Sequence, residues 1–217
     1  MRAMTDKPLS GRKAQAARND KLILEAAHEV FVDDPAAPIA EVAKRAGVGI
    51  SALYRRYPSK EDLLRKLCSD GLDRHMELVQ EAIDDDGDPW DAFCAFMRAV
   101  VAADTASITV KLAGTFTPSE EMFKAAIEGD RLNHVLMEKL HGAGVLRPDA
   151  RIGDLIMITE SLASIRIGDK ERTTELRLRS LELPLQALRA PGGDPLPGRA
   201  VEDQEMGVRW IPKDAKA

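Results

Sequence analysis

Two prolines, Pro38 and Pro58, bracket a stretch in which helical pattern is cut into two short pieces. Ile39, Val42, Ala43 and Ala46 recur at i, i+3, i+4 and i+7, one apolar stripe of roughly two turns. Pro38 stands at a plausible first helical position, and Gly47 stops the stripe. A second short helix runs from Gly49 or Ile50 to Tyr57, where Pro58 closes it. Two such helices around the tight turn Gly47-Val48-Gly49 have the spacing of a helix-turn-helix. The small residues Val42, Ala43 and Ala46 allow close approach, and Leu53 is the side chain placed to pack back on them. The outward side of the second helix then carries Ile50, Ser51, Ala52, Tyr54, Arg55 and Arg56.

Charge is distributed to match. Residues 1–67 hold 13 Lys/Arg against 9 Asp/Glu, a net of +4, whereas the remaining 150 hold 18 against 27, a net of −9. A basic end on an acidic body is expected to meet a polyanion at that end alone. Arginines, a phenol and a hydroxyl suit base edges and phosphates in a major groove. Lys60 lies near the start of the next helix, where an ammonium beside free N–H groups would suit a phosphate.

The rest of the chain also reads as helix. Pattern begins near Asn19 or Asp20, with Ile23, Ala26, Ala27, Val30 and Phe31 on one stripe, after a polar arm over residues 1–17. Ser59 caps a helix with Glu61 and Asp62 in its first turn, and this helix runs out at Asp84-Asp85-Asp86-Gly87. Asp88-Pro89-Trp90 opens another, and a further one spans about Ser119 to His141. Residues 150–167 are apolar nearly all round, which predicts burial on more than one side, in a core or a subunit interface. A leucine-rich helix from about Thr174 to Arg189 contains Pro184, a kink or break, and residues 191–217 begin with a Pro/Gly-rich run that reads as a flexible tail. No period-two pattern persists, so the expected fold class is all-α. The expected division is an arm (1–17), a helix-turn-helix domain (18–66), a helical body (67–190) and a tail (191–217).

Other chemistries find little support. Gly47-x-Gly49-x-x-Ala52 matches a dinucleotide fingerprint by letters, but a helical stripe precedes it where that motif requires a strand. Aligning Gly87 to the glycine of a calcium loop puts Ala82 and Phe93 at ligand positions, so the acidic run is an interhelical linker. No histidine pair stands at i, i+4, and no GxSxG occurs. Two cysteines, Cys68 and Cys94, show no metal spacing. No stretch approaches the ~20 consecutive apolar residues of a membrane span. The expectation is a soluble cytoplasmic protein that is not an enzyme and holds no metal or cofactor.

The run Ile39-Ala-Glu-Val-Ala-Lys-Arg-Ala-Gly-Val-Gly-Ile-Ser-Ala-Leu-Tyr-Arg-Arg-Tyr-Pro-Ser-Lys-Glu-Asp-Leu-Leu64 closely resembles the DNA-binding domain of TetR-family transcriptional regulators. The resemblance covers about residues 18–68. It implies a homodimeric regulator, most often a repressor, bound to a pseudo-palindromic double-stranded operator and released by a small-molecule effector. Tyr54 and Lys60 match positions that usually contact phosphates, and Ile50, Ser51, Arg55 and Arg56 fall in or beside the recognition helix. Three departures stand out: Pro38 replaces a usual Ser or Thr, Arg56 a common His, and Tyr57 a common Phe. Candidate ligand-lining residues in the body are Trp90, Phe93, Phe96, Met97, Phe116 and Met122, because Met and aromatic surface adapts to ligands. Candidate dimer residues are Ile152, Leu155, Ile156, Leu162, Leu178, Leu181 and Leu185, on the helices over 152–165 and 176–188. A helical protein-interaction module that has lost DNA binding is the alternative reading.

Overall fold

The structure, a computed structural model, describes residues 11–210, apart from the side chains of residues 12–14 and 203. Among the described residues there are ten α-helices and no strand. They form two compact units that divide between Leu67 and Cys68.

The first unit contains α1 (Gly11–Asp33), α2 (Ile39–Ala46), α3 (Ile50–Arg56) and the start of α4 (Lys60–Asp84). Ile23, Ala26, Ala27, Val30 and Phe31 of α1 are buried, as are Ile39, Val42 and Ala43 of α2 and Leu53 of α3. The apolar stripes therefore meet in one small core, closed by Leu63, Leu64 and Leu67 of α4. Gly47 ends α2 at φ 66°, a left-handed conformation that a side chain would strain. There the N–H of Val48 donates to the Ala43 carbonyl at 3.0 Å, reversing the chain within three residues. Ser59 caps α4: its hydroxyl accepts from the Asp62 N–H at 3.0 Å, and the Asp62 carboxylate accepts from the Ser59 N–H at 3.1 Å.

The loose arm requires correction. Residues 11–17 are the first turns of α1, and residues 1–10 lie outside the described residues. Asp20 is accordingly no cap, but an interior residue of a 23-residue helix.

The second unit is built from the remainder of α4 with α5 (Pro89–Ala103), α6 (Thr105–Leu112), α7 (Glu120–Gly142), α8 (Ile152–Ala163) and α9 (Lys170–Leu188). Asp88 caps α5 by accepting from the Trp90 and Asp91 N–H groups, with Pro89 in the first turn. Lys139 of α7 donates to the carbonyls of Ile83 and Asp85, both at 2.7 Å, and so satisfies the end of α4. Sequence pattern missed the break at Asp104, whose φ of 56° separates α5 from α6. Pro184 does not end α9, which continues to Leu188. No single helix among the described residues is long and apolar enough to cross a membrane.

The C-terminal segment also departs from expectation. Residues 191–210, read as flexible, are tied to the body, while 211–217 lie outside the described residues. The Arg147 guanidinium bonds Asp149 and donates to the Asp194 carbonyl at 2.8 Å, and the Leu196 N–H donates to Asp149 at 2.8 Å. This pairing holds the Asp149 carboxyl well below the usual carboxylate range. Val201 then crosses the first turn of α8 so closely that a Cβ on Gly153 would lie 2.3 Å from its carbonyl oxygen. A short helix, α10 (Asp203–Gly207), and a 3-10 turn (Val208–Trp210) follow. Six Pro or Gly residues between 191 and 198 removed helix from this stretch, but not its anchoring.

Candidate functional site

Two places in the molecule combine exposed or cavity-lining chemistry with a rigid frame. The first is α3. Leu53 is 0% exposed, which rotates Ile50, Ser51, Tyr54 and Arg55 outward, all exposed. Among the described residues Arg55 makes no ion pair, so its five donors face solvent.

Arg56 is placed differently. Its Nε and Nη2 donate to the two oxygens of Asp20, each at 2.9 Å, and the Tyr57 hydroxyl donates to the same carboxylate at 2.7 Å. The two unusual residues at the end of α3 thus share one partner on α1. That charge-assisted pairing lowers the Asp20 pKa and raises that of Arg56, while burial pushes the Tyr57 phenol up. Arg56 pins α3 to α1, and Arg55 is left as the open fork.

Lys60 also turns inward. Its Nζ donates to the carbonyls of Pro35 and Ala37, both at 2.7 Å, and sits 4.9 Å from the Phe31 ring centroid. Burial lowers its pKa. Lys60 thus clamps the α1–α2 turn. Lys60→Ala is expected to destabilise the first unit by about 1–3 kcal/mol, because two carbonyls lose their donor. Thermal unfolding followed by circular dichroism checks this. A salt slope of DNA binding lowered by about one, with stability unchanged, would restore the phosphate role.

The second place is a cavity of about 390 Å³ inside the second unit. Phe96, Met97 and Val100 of α5, Ile108 of α6, Met122 of α7, and Ile152, Leu155 and Ile156 of α8 form its apolar wall. Polar groups are few: His75 with Asn133, Thr105, Thr109, Thr159 and Glu160. The His75 Nε2 lies 3.0 Å from the Asn133 Oδ1, and burial lowers the imidazole pKa, which favours the neutral ring. Met206 and Trp210 of the C-terminal segment complete the lining, with Trp210 edge-on to Phe116 at 6.2 Å.

The model of the family described as bacterial regulatory proteins, tetR family, matches residues 23–67, which hold the helix-turn-helix and its supporting helices. The HTH-type transcriptional repressor LfrR of Mycolicibacterium smegmatis is 39% identical over 72 residues, 33% of this chain. That match spans about a third of the relative, 35% of its length. Residues 23–67 are thus similar to the DNA-binding domain of TetR-family regulators. Solved TetR-family structures share the fold beyond the matched region. A TetR transcription regulatory protein from Mycobacterium vanbaalenii aligns with a TM-score of 0.50 at 26% identity, over 82% of this chain and 99% of that one. LfrR from Mycobacterium smegmatis, in complex with proflavine, aligns with a TM-score of 0.54 at 22% identity, over 76% and 95%.

Against this TetR fold the expected sites in the second unit divide. Of the ligand candidates, Phe96, Met97 and Met122 line the cavity, and Phe116 stands behind Trp210. Trp90 and Phe93 do not line it; they pack on each other at 5.5 Å in the core. Trp210 and Met206 escaped sequence reasoning because a Pro/Gly-rich stretch separates them from any helical pattern.

The dimer candidates need correction too. Leu155, Leu162, Leu181 and Leu185 are buried within their own chain, with Ile152 and Leu178 packed against the same core. Ile156 faces the cavity. The four buried leucines have no surface left for a second chain, whereas Ile152, Ile156 and Leu178 stay partly exposed. The apolar side chains that α8 and α9 do expose are Met157 and Leu183, the latter 72% exposed.

Proposed function

We propose that this protein is a regulator of the TetR family, a sequence-specific transcriptional repressor that a small molecule releases from its operator. The carrying observation is α3, which buries Leu53 and presents Ile50, Ser51, Tyr54 and Arg55 from a helix fixed on both sides. A helix so placed fits a major groove. Arg55 reads guanine through its bidentate fork, Ser51 and Tyr54 reach phosphate or base edges, and Ile50 meets a thymine methyl. The effector enters the cavity of the second unit, whose size and mostly apolar wall suit one small organic molecule. It lowers DNA affinity by its preference for the conformation that binds DNA less well, and by no more than that preference. The relative LfrR, seen with proflavine, supports a ligand-responsive reading.

Fluorescence anisotropy with duplexes tiled across the region upstream of the protein's own gene tests the proposal. Tight, salt-sensitive binding to one tile supports it, and equal weak binding to every sequence argues against it. Arg55→Ala is expected to cost about 1–3 kcal/mol on the preferred tile and to relax preference at a single base pair. The same affinity for wild type and variant would remove Arg55 from the interface.

The functional unit is a homodimer on a pseudo-palindromic operator, since two reading heads match two half-sites. An exposed Leu183 on α9 supports a covered face there. Leu183→Glu is expected to give a monomer by light scattering at micromolar concentration, with melting behaviour preserved, because the leucine has no core to leave. A variant that stays dimeric would move the interface elsewhere.

A further inference from the structure

The cavity's wall carries one charge. Among the residues that line it there is no Lys or Arg, burial favours the neutral form of His75, and Glu160 of α8 supplies the sole carboxylate. The Glu160 side chain is 14% exposed. A carboxylate taken this far from water requires a cation beside it. That cation comes from the chain's own C-terminal segment: Arg209 Nη1 donates to both Glu160 oxygens, at 2.7 and 2.9 Å. Arg209 itself is 31% exposed and is not part of the cavity wall. It reaches in from the 3-10 turn whose next residue, Trp210, lies against Phe116. The guanidinium therefore occupies a place where positive charge is stabilised, at the edge of a chamber otherwise built for apolar matter.

We propose that the effector is an apolar organic cation, and that its charge takes the place of Arg209 on Glu160. This rests on the reading of the cavity as the effector site. The exchange is cheap on one side, because Arg209 returns to water as it leaves. The ligand's cation gains a carboxylate in an environment with little competing solvent, and the Phe96 ring in the cavity wall adds cation–π attraction. An anion must instead draw Arg209 away and strand a carboxylate that water barely reaches. A neutral ligand leaves the ion pair as it stands and gains nothing from it. Displacing Arg209 also frees the segment carrying Met206 and Trp210, so entry of the ligand and release of the chain's end are one event.

Tetraphenylphosphonium and tetraphenylborate, nearly equal in size and opposite in charge, separate these cases. Calorimetric titration of the full chain is expected to show the phosphonium binding at least about tenfold more tightly, as a charge-assisted contact implies. Glu160→Gln should remove that preference, and Arg209→Gln should strengthen phosphonium binding several-fold by taking away the internal competitor. Equal affinities for the two ions, or tighter binding of the borate, would overturn the cation assignment and leave the cavity as a binding site. Binding of neither ion would overturn the cavity reading itself, and the assignment with it. Weaker phosphonium binding by a folded Arg209→Gln chain would refute the exchange. The wild-type comparison decides the charge preference even if a variant fails to fold.

Discussion

Arg177→Ala is expected to destabilise the second unit by about 3–5 kcal/mol, the cost of breaking a buried ion pair from one side. Arg177 is 4% exposed and reaches from α9 to two other elements. Its Nε donates to the Ile165 carbonyl at 3.1 Å and its Nη2 to the Ala163 carbonyl at 2.8 Å, satisfying the end of α8. Its Nη1 pairs with Asp104 at 2.5 Å, and Ser107 bonds the same carboxylate. Asp104 is the residue at φ 56° that divides α5 from α6. One guanidinium thus holds a helix end and a left-handed break at once. Alanine would take a donor from two carbonyls and the counter-ion from the Asp104 carboxylate, which keeps its Ser107 bond. Both tryptophans, Trp90 and Trp210, lie in this unit, so urea unfolding followed by tryptophan fluorescence reports on it alone. A lower midpoint at unchanged slope is the expected result. Pairing the change with Asp104→Asn should recover part of the loss, since the stranded charge is then gone. A midpoint unmoved by Arg177→Ala would mean that the network contributes nothing net.

Leu53→Ala is expected to cost the first unit about 2–5 kcal/mol, the range for a buried leucine reduced to alanine. A unit of this size has little stability to spare. If α3 reads DNA as proposed, DNA affinity should collapse although no exposed residue of α3 has changed, because that buried contact helps to aim its exposed side chains. Leu53→Met, similar in volume, should cost less than about 1.5 kcal/mol and keep most of the affinity. Thermal melting by circular dichroism alongside anisotropy distinguishes loss of the frame from loss of a contact such as Arg55. An alanine variant that binds DNA like wild type would show that α3 is held by other means.

Local pattern reached far in the first unit because its elements are encoded by neighbours. Gly47 ends α2 through its own backbone freedom, Ser59 and Asp62 cap α4 within three residues, and Leu53 follows from the period of α3. What local pattern did not supply was partnership within the chain. Arg56 and Lys60 were read as facing DNA because of their charge and position. Their actual partners, Asp20 and the carbonyls of Pro35 and Ala37, lie 36, 25 and 23 residues away. No periodicity carries such information.

In the second unit the same limit acts on burial. The leucines of α8 and α9 looked ready for a partner chain, because apolarity on several sides does not say who covers each side. Folding assigned Leu155, Leu162, Leu181 and Leu185 to the core, and Ile156 to the cavity.

By itself the sequence determined the helical class, the helix-turn-helix and the side of α3 turned outward, since each depends on spacing, caps and turns within a few residues. Tertiary structure alone decided which charges stay open and which are bound, where the cavity lies, and that the C-terminal segment closes on it. Those outcomes depend on contacts between residues far apart in the chain, such as Arg209 with Glu160 and Arg177 with Asp104, and such contacts exist only once the helices have packed.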